Sequence, residues 1–226
     1  MNKTVVLLSG GLDSSTLVYW LLNRDLEVVA LSVRYGQRHA CELLAARAVA
    51  KHAGVHLVEL DLEKSLAEVF AGAKSSQVGS KTAVPIGHYA DETMKLTIVP
   101  NRNMLLLALA GALAVSIGAP SVAYAAHSGD HAIYPDCRPE FAQAMAKALA
   151  LGSTIDLVTP FVTISKTEIV RQGTKLRVPF ELTYSCYAGR TEHCGVCGTC
   201  YERQEAFRDA GVSDPTKYEL LQVKEG

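Results

Sequence analysis

The chain of 226 residues is long enough to bury one sizeable core and carry a small appendage. Apolar residues make up 49% and charged residues 20%, ordinary for a globular protein rather than a disordered one. A formal net charge of −1 gives no general pull toward nucleic acid or anionic membrane, so neither partner is expected.

The apolar run Thr4 to Leu8 is too short for a signal-peptide core, and Met104 to Val115 reads as a buried helix too short to span a bilayer. A cytoplasmic location is the resulting expectation. There, thiols stay reduced, and clustered cysteines hold metal more often than they pair.

In chain order, Thr4–Leu8 is continuously apolar, as a strand buried on both faces should be. Asp13–Asn23 places Leu17, Val18, Leu21 and Leu22 at helical spacing. Glu27–Val33 predicts a second strand, Ala40–His52 a second helix and Val55–Leu60 a third strand. This alternation predicts right-handed parallel crossovers, hence an α/β fold with a doubly wound, mainly parallel, Rossmann-like sheet.

Residues 72–100, with Gly79, Pro85 and Gly87, show no period and read as a functional lid or mobile insertion. Beyond them, Arg102–Ile117 predicts a helix, Ser121–Ala126 a strand, Pro139–Leu151 a helix and Asp156–Phe161 a short strand. Ser165–Leu176 predicts a helix in which Ser165 and Glu168 fit a capping box.

Ser9-Gly10-Gly11-Leu12-Asp13-Ser14-Ser15 sits where the first strand hands over to the first helix, the ligand edge of such a sheet. Adjacent glycines let backbone N–H groups converge, and a helix N-terminus adds partial positive charge, so the loop suits an anion. Asp13 either caps the helix or helps hold a metal ion. A Walker loop and a dinucleotide fingerprint are both absent from the spelling. The loop instead resembles the S-G-G-x-D-S signature of the PP-loop ATP pyrophosphatases, matched at every position. That resemblance implies an adenine nucleotide alpha hydrolase type of fold, and ATP cleaved between its α and β phosphates.

Four of the six cysteines fall within fifteen residues: Cys186, Cys194, Cys197 and Cys200. Four thiolates in a short hook suit a structural, tetrahedral Zn²⁺ site, with an Fe–S cluster as the competitor. Gly195 and Gly198 are expected to form the tight turns. His193 reads as a surface residue, and Cys41 as packing. Residues 1–180 are expected to form the main domain, with 181–226 a small zinc-binding helical segment packed on it.

Other groups gather at predicted strand ends. Arg102 opens the long apolar helix, where it could hold a phosphate or carboxylate or simply be solvated. His127, Asp130, His131, Tyr134, Asp136 and Arg138 follow the fourth strand, a density that favours a substrate site. Lys166 stands at a helix start, against the dipole, which suggests an anionic ligand nearby, with a surface lysine as the plain alternative.

The motifs occur in one order: the phosphate loop, Arg34-Tyr35-Gly36-Gln37-Arg38-His39, Val-Pro-Asn-Arg-Asn, Tyr-Pro-Asp-Cys-Arg-Pro-Glu-Phe, Pro-Phe-x3-Ser-Lys-x-Glu-Ile and the cysteine hook. That order resembles the 7-cyano-7-deazaguanine synthases of queuosine and archaeosine synthesis. The block Ala126–His131 departs from the family's Asn-x-x-Asp wording, with Asp130 matching.

The resemblance implies an ATP-dependent ligase that takes 7-carboxy-7-deazaguanine and ammonia to the nitrile through adenylated intermediates, with Mg²⁺ balancing phosphate charge. It places Leu8, Ser9, Gly10, Gly11, Leu12, Asp13, Ser14 and Ser15 on the nucleotide. It gives Asp13, Arg102 and Lys166 to catalysis, and sets Tyr134, Asp136, Arg138 and Asp130 toward the base. A homodimer is an open option. The rivals are another PP-loop adenylating enzyme, such as a tRNA sulfurtransferase using Cys137 or a tRNA-modifying ligase, and a zinc-bearing nucleotide sensor.

Overall fold

The computed structural model describes residues 3–38, 40–78, 82–88 and 94–219. His39 and Gly79, named above in their motifs, lie outside the described residues, as do 220–226 of the C-terminal segment.

Five strands form one sheet: β1 (Lys3–Leu7), β2 (Glu27–Arg34), β3 (His56–Asp61), β4 (Ser121–Ala123) and β5 (Asp156–Val158). Their order is β3-β2-β1-β4-β5, and every pairing is parallel. The chain runs outward from β1 to β3 and then returns to β4 on the other side. The topological switch therefore lies between β1 and β4, and a crevice opens beyond the end of β1.

The strands alternate with a period of two, which divides the core into two layers. Val6, Val28, Ala30 and Ala123 face one layer, with α1 (Leu12–Leu22), α2 (Ala40–Ala53), α6 (Lys166–Lys175) and α7 (Gly198–Ala210). Val5, Leu31, Val33 and Val122 face the other, with α4 (Arg102–Ser116) and α5 (Pro139–Ser153). A short helix, α3 (Glu63–Phe70), follows β3 and buries only Phe70.

Among the described residues, Lys95–Ser116 is long and apolar enough to cross a membrane by length and composition. Within it, Leu107, Ala110 and Ala114 of α4 are fully buried in the second core layer. Gly111 lets α5 approach: a Cβ there would stand 2.7 Å from Leu149 Cδ2.

Several expectations are sharpened. Ser165 caps α6 as its spacing predicts, its Oγ accepting from the Glu168 N–H at 3.2 Å. The fourth strand ends at Ala123 rather than Ala126, because its last parallel partner is Val158 of β5. Tyr124, Ala125 and Ala126 then turn into the crevice wall.

The described parts of 72–100 are packed in place. Ser75, Ser76 and Gln77 are buried, and Val78 and Val99 join Tyr35 and Phe70 in a small apolar cluster. Gly87 N–H donates to the Val196 carbonyl at 2.9 Å, seating this stretch on the cysteine hook.

The C-terminal segment is bound to the sheet layers through a buried arginine. Arg203 is 1% exposed; it donates to Thr183 Oγ1 at 2.8 Å and to the Phe180 carbonyl at 3.1 Å. Its Nε stands 3.3 Å from Asp214 Oδ1, which supplies the countercharge. The guanidinium's planar fork satisfies partners from two segments at once, the turn carrying Phe180 and Thr183 and Asp214 beyond α7.

Candidate active site at the carboxyl edge of the sheet

The loop Ser9 to Ser15 crosses directly from β1 to α1, and Gly10 makes the crossing feasible. Its φ is +87°, and a Cβ there would lie 2.4 Å from the Glu42 carbonyl and 2.5 Å from the Ala46 nitrogen. The loop holds itself through serines. Ser9 Oγ and Ser14 Oγ are 3.0 Å apart, and Gly11 N–H donates to Ser9 Oγ at 3.2 Å. Tyr184 N–H donates to the Gly10 carbonyl at 2.9 Å, so the C-terminal segment also fixes the loop.

No side chain caps α1, whose N-cap is Gly11. The free N–H groups of its first turn thus remain available to an anion in the crevice. The capping option for Asp13 is accordingly overturned. Asp13 Oδ2 lies 3.4 Å from Lys166 Nζ and 3.8 Å from His127 Nε2, while Oδ1 is buried without a partner.

The loop opens onto a cavity of about 230 Å³. Of the sequence-predicted residues, Leu8, Ser9, Gly11, Leu12, Asp13 and Ser14 line it. Gly10 and Ser15 stand behind the loop, Gly10 against α2 and Ser15 fully buried. Arg102, Lys166, Asp130 and Tyr134 join the wall from other elements.

Asp136 and Arg138 are outside it. Asp136 Oδ2 accepts from the Asn103 N–H at 3.1 Å, serving the first turn of α4. Arg138 is exposed, its Nε donating to the His131 carbonyl at 2.7 Å.

Lys166 has its explanation in the carboxylates around it. Its Nζ is 2.5 Å from Glu202 Oε2 and 3.4 Å from Asp13 Oδ2. Burial disfavours its charge, but Asp13, Glu202 and Asp130 outweigh burial and hold it protonated far above lysine's ordinary range. Arg102 is not the solvated alternative. Burial disfavours its charge, and the Asp136 carboxylate is the anion beside it that favours that charge.

His127 is 1% exposed and stands where the family's asparagine was expected. Its Nδ1 accepts from the Gly129 N–H at 3.1 Å, which assigns the proton to Nε2. Nε2 faces Asp130 Oδ2 at 3.4 Å, so this nitrogen acts as a donor toward the carboxylates. His127, Asp130 and Glu202 lie close enough to hold a metal ion by distance. The Nε2 proton and the Lys166 ammonium argue instead for a hydrogen-bonded polar cluster.

Tyr124, Glu202 and Glu42 are among the wall residues that sequence reasoning missed. Tyr124 is 4% exposed and its hydroxyl has no partner, an orphan group that fits a ligand. Its place just beyond the fourth strand was the available signal. Glu202 arrives from α7, and Glu42 from α2.

Burial pushes the Glu42 carboxyl up to about 7, with Arg102 pulling the other way. Its folded-state value lies above the ordinary 4.5, so the stability it supports is complete below that value and fades as pH rises through about 7. Glu42→Gln should therefore match the parent in urea unfolding near pH 5. Near pH 8.5 it should be the more stable by on the order of 1 kcal/mol. A parent that holds its midpoint against the variant at pH 8.5 contradicts this.

Cys137 lines the cavity, and Asn103 Nδ2 donates to its Sγ at 3.4 Å. Burial, then Asp130, push the thiol well above its usual range. It stays protonated, a poor nucleophile for sulfur transfer.

The cysteine hook closes behind this wall. The Sγ atoms of Cys186, Cys194, Cys197 and Cys200 lie within 4.8 Å of one another, all buried. Cys186 Sγ accepts N–H donors from Ala188 and Cys194, each at 3.3 Å. Gly195, at φ +74°, makes one of the two expected turns, whereas Gly198 simply opens α7. His193 is not at the surface. It is 5% exposed, lies between Tyr184 and Tyr218, and its Nε2 accepts from the Ser185 N–H at 3.0 Å. The four sulfurs are placed to hold a metal ion without it.

A family model described as "Queuosine biosynthesis protein QueC" matches residues 3–211. The chain is 46% identical over 222 residues to the 7-cyano-7-deazaguanine synthase of Marinobacter nauticus, covering 97% of this chain and 99% of that protein. Identity is 47% over 221 residues to the 7-cyano-7-deazaguanine synthase of Methanoregula boonei, with 96% and 99% covered.

Among solved structures, the NMN synthetase of Francisella tularensis aligns over 94% of this chain and 78% of that one, with a TM-score of 0.54 and 15% identity. A 4-thiouridine synthetase–RNA complex with bound ATP aligns over 93% and 50%, with a TM-score of 0.52 and 18% identity. These two establish likeness of fold. The match across nearly the whole chain, over a loop and cavity built as described, decides the family: the chain belongs to the QueC family of queuosine biosynthesis, the 7-cyano-7-deazaguanine synthases, which are ATP-dependent ligases.

Proposed function

We propose that the crevice carries out two successive ATP-dependent activations of one carbon on 7-carboxy-7-deazaguanine. The observation that carries this reading is the uncapped amino end of α1, opening with its serine loop onto a cavity that also holds Arg102 and Lys166.

The triphosphate lies on Ser9, Gly11 and Ser14, with Leu8 and Leu12 flanking it and Gly10 and Ser15 bracing the loop from behind. Mg²⁺ accompanies it and offsets phosphate charge; the buried, unpartnered Oδ1 of Asp13 is the oxygen that fits this ion. A substrate carboxylate oxygen attacks the α-phosphorus, and pyrophosphate leaves with the electron pair of the broken bond. Arg102 and Lys166 stabilise the charge that develops. Ammonia then attacks the acyl carbon, and AMP departs with the transferred oxygen as nitrogen loses a proton to give the amide.

In the second round the amide oxygen attacks another ATP. Loss of AMP and of the two remaining N–H protons leaves the nitrile. Esterification to AMP is what turns a poor leaving oxygen into a good one at each step.

The base lies along Tyr134 and Asp130, with the orphan hydroxyl of Tyr124 as a further hydrogen-bonding group. Asp136 and Arg138 support that wall from outside, Asp136 through the Asn103 N–H. The four cysteines take Zn²⁺ as a closed, structural site, which supplies rigidity and no chemistry. Residues 181–226 form the segment that carries this site, docked on 1–180. The enzyme works in the cytoplasm on a free base, without direct contact to nucleic acid, and the reading leaves room for a homodimer.

The test is product analysis with ATP, Mg²⁺, ammonium and the carboxylated base. AMP, pyrophosphate and the nitrile are expected in a ratio of two to two to one. In the same assay Cys137→Ser should keep its rate within about 3-fold, because a protonated thiol takes no part. Absence of pyrophosphate, or a Cys137→Ser enzyme that adenylates but forms no nitrile, refutes the scheme.

A further inference from the structure

The cysteine hook and the crevice are joined by one side chain. Cys197 is the N-cap of α7 and Cys200 lies in its first turn. Glu202 follows two residues later, directed into the cavity, with its Oε2 2.5 Å from Lys166 Nζ. Arg203, next in sequence, is the buried arginine that binds α7 to Thr183 and Phe180. Helix α7 is thus fixed on both sides of Glu202. Its other oxygen lies beside Gly129, where an added Cβ would stand 3.2 Å from Glu202 Oε1.

Lys166 needs such a partner. It is the first residue of α6, where the helix dipole opposes a cation. Its four-carbon stem has much rotamer freedom, and a mobile ammonium is a poor electrostatic catalyst because it must be ordered during the reaction. A carboxylate on a fixed helix orders it beforehand, when the protein folds.

We propose that Glu202 is a positioning residue: carried by the metal-anchored helix, it holds the Lys166 ammonium where charge develops on the α-phosphate. The inference rests on the reading of Lys166 given above. It also explains why the metal segment is packed against the crevice rather than at a free end. The hook sets where α7 begins, and α7 sets where Lys166 points. Because Glu202 is itself an anion near the triphosphate, its loss leaves nucleotide affinity largely intact. The effect falls on the chemical step.

The experiment compares wild type, Glu202→Gln, Lys166→Met and the double variant in ATP- and substrate-dependent pyrophosphate release. Metal content and urea unfolding are measured on each protein. Glu202→Gln is expected to lose about 10- to 100-fold in kcat, with the KM for ATP within about 3-fold and one metal ion retained per chain. In the Lys166→Met background the same change should cost less than about 2-fold, since the group it positions is gone. Glu202→Asp keeps the charge but is one methylene short, and should recover only part of the rate.

Equal losses in both backgrounds, loss of the metal from Glu202→Gln, or a kcat equal to wild type would each overturn the inference while leaving the proposed reaction standing. A wild-type enzyme that releases no pyrophosphate overturns both.

Discussion

Gly10→Ala should abolish ATP-dependent turnover and lower the unfolding free energy by about 3 kcal/mol. Two costs act together. The residue sits at φ +87°, where a Cβ is strained, and that Cβ would stand 2.4 Å from the Glu42 carbonyl and 2.5 Å from the Ala46 nitrogen. Both are backbone atoms of α2, so no rotamer change can relieve the contact. Either α2 retreats or the loop moves into the crevice, carrying Ser9 and Gly11 off the phosphate. A displacement near 1 Å at a reacting centre costs about 100-fold in rate. Urea unfolding and nucleotide-dependent kinetics measure the two effects separately. A stable, active Gly10→Ala protein would mean that α2 does not press on the loop.

Lys166→Met should lower kcat by about 100- to 1,000-fold. The thioether roughly fills the volume of the stem but brings no charge, so the loss reads the ammonium itself. Asp13 and Glu202 would then lose their shared cation in a partly buried site, with about 2 kcal/mol of stability lost as well. Lys166→Arg is not a rescue, because a planar fork cannot occupy the space of a compact ammonium between two carboxylates. Steady-state kinetics at saturating ATP give the first number and urea unfolding the second. A Lys166→Met enzyme within tenfold of wild type would remove Lys166 from the chemistry.

The sheet was legible because its central strands β1 and β2 are buried on both faces, and continuous runs such as Thr4–Leu8 leave little choice of element. The loop's place at the ligand edge followed from its position between the first strand and the first helix, whereas the strand order that puts the switch point between β1 and β4 did not. Helix α3 was missed although Leu66, Val69 and Phe70 stand at helical spacing: it spans only eight residues, and Phe70 alone is fully buried.

The catalytic wall was half legible. Ser9 to Ser14, Arg102 and Lys166 are close to element starts, where a local physical reason marks them. The neighbours that determine their behaviour are remote in sequence. Glu202 reaches Lys166 across 36 residues, and Tyr134 meets Tyr187 across 53. His193 was misread as a surface residue because the tyrosines that enclose it are not adjacent in sequence. Asp136 and Arg138 fall within the distinctive Tyr-Pro-Asp-Cys-Arg stretch, yet in the structure they serve α4 and the His131 carbonyl.

The central claim is that both oxygens of the substrate carboxylate leave on the α-phosphate of ATP. Carboxylate doubly labelled with ¹⁸O, followed by mass spectrometry of the nucleotide and of pyrophosphate, tests it most directly. The account predicts two AMP molecules per nitrile, each carrying one ¹⁸O, with pyrophosphate unlabelled. Label in pyrophosphate, or AMP formed without label as the nitrile appears, would contradict it.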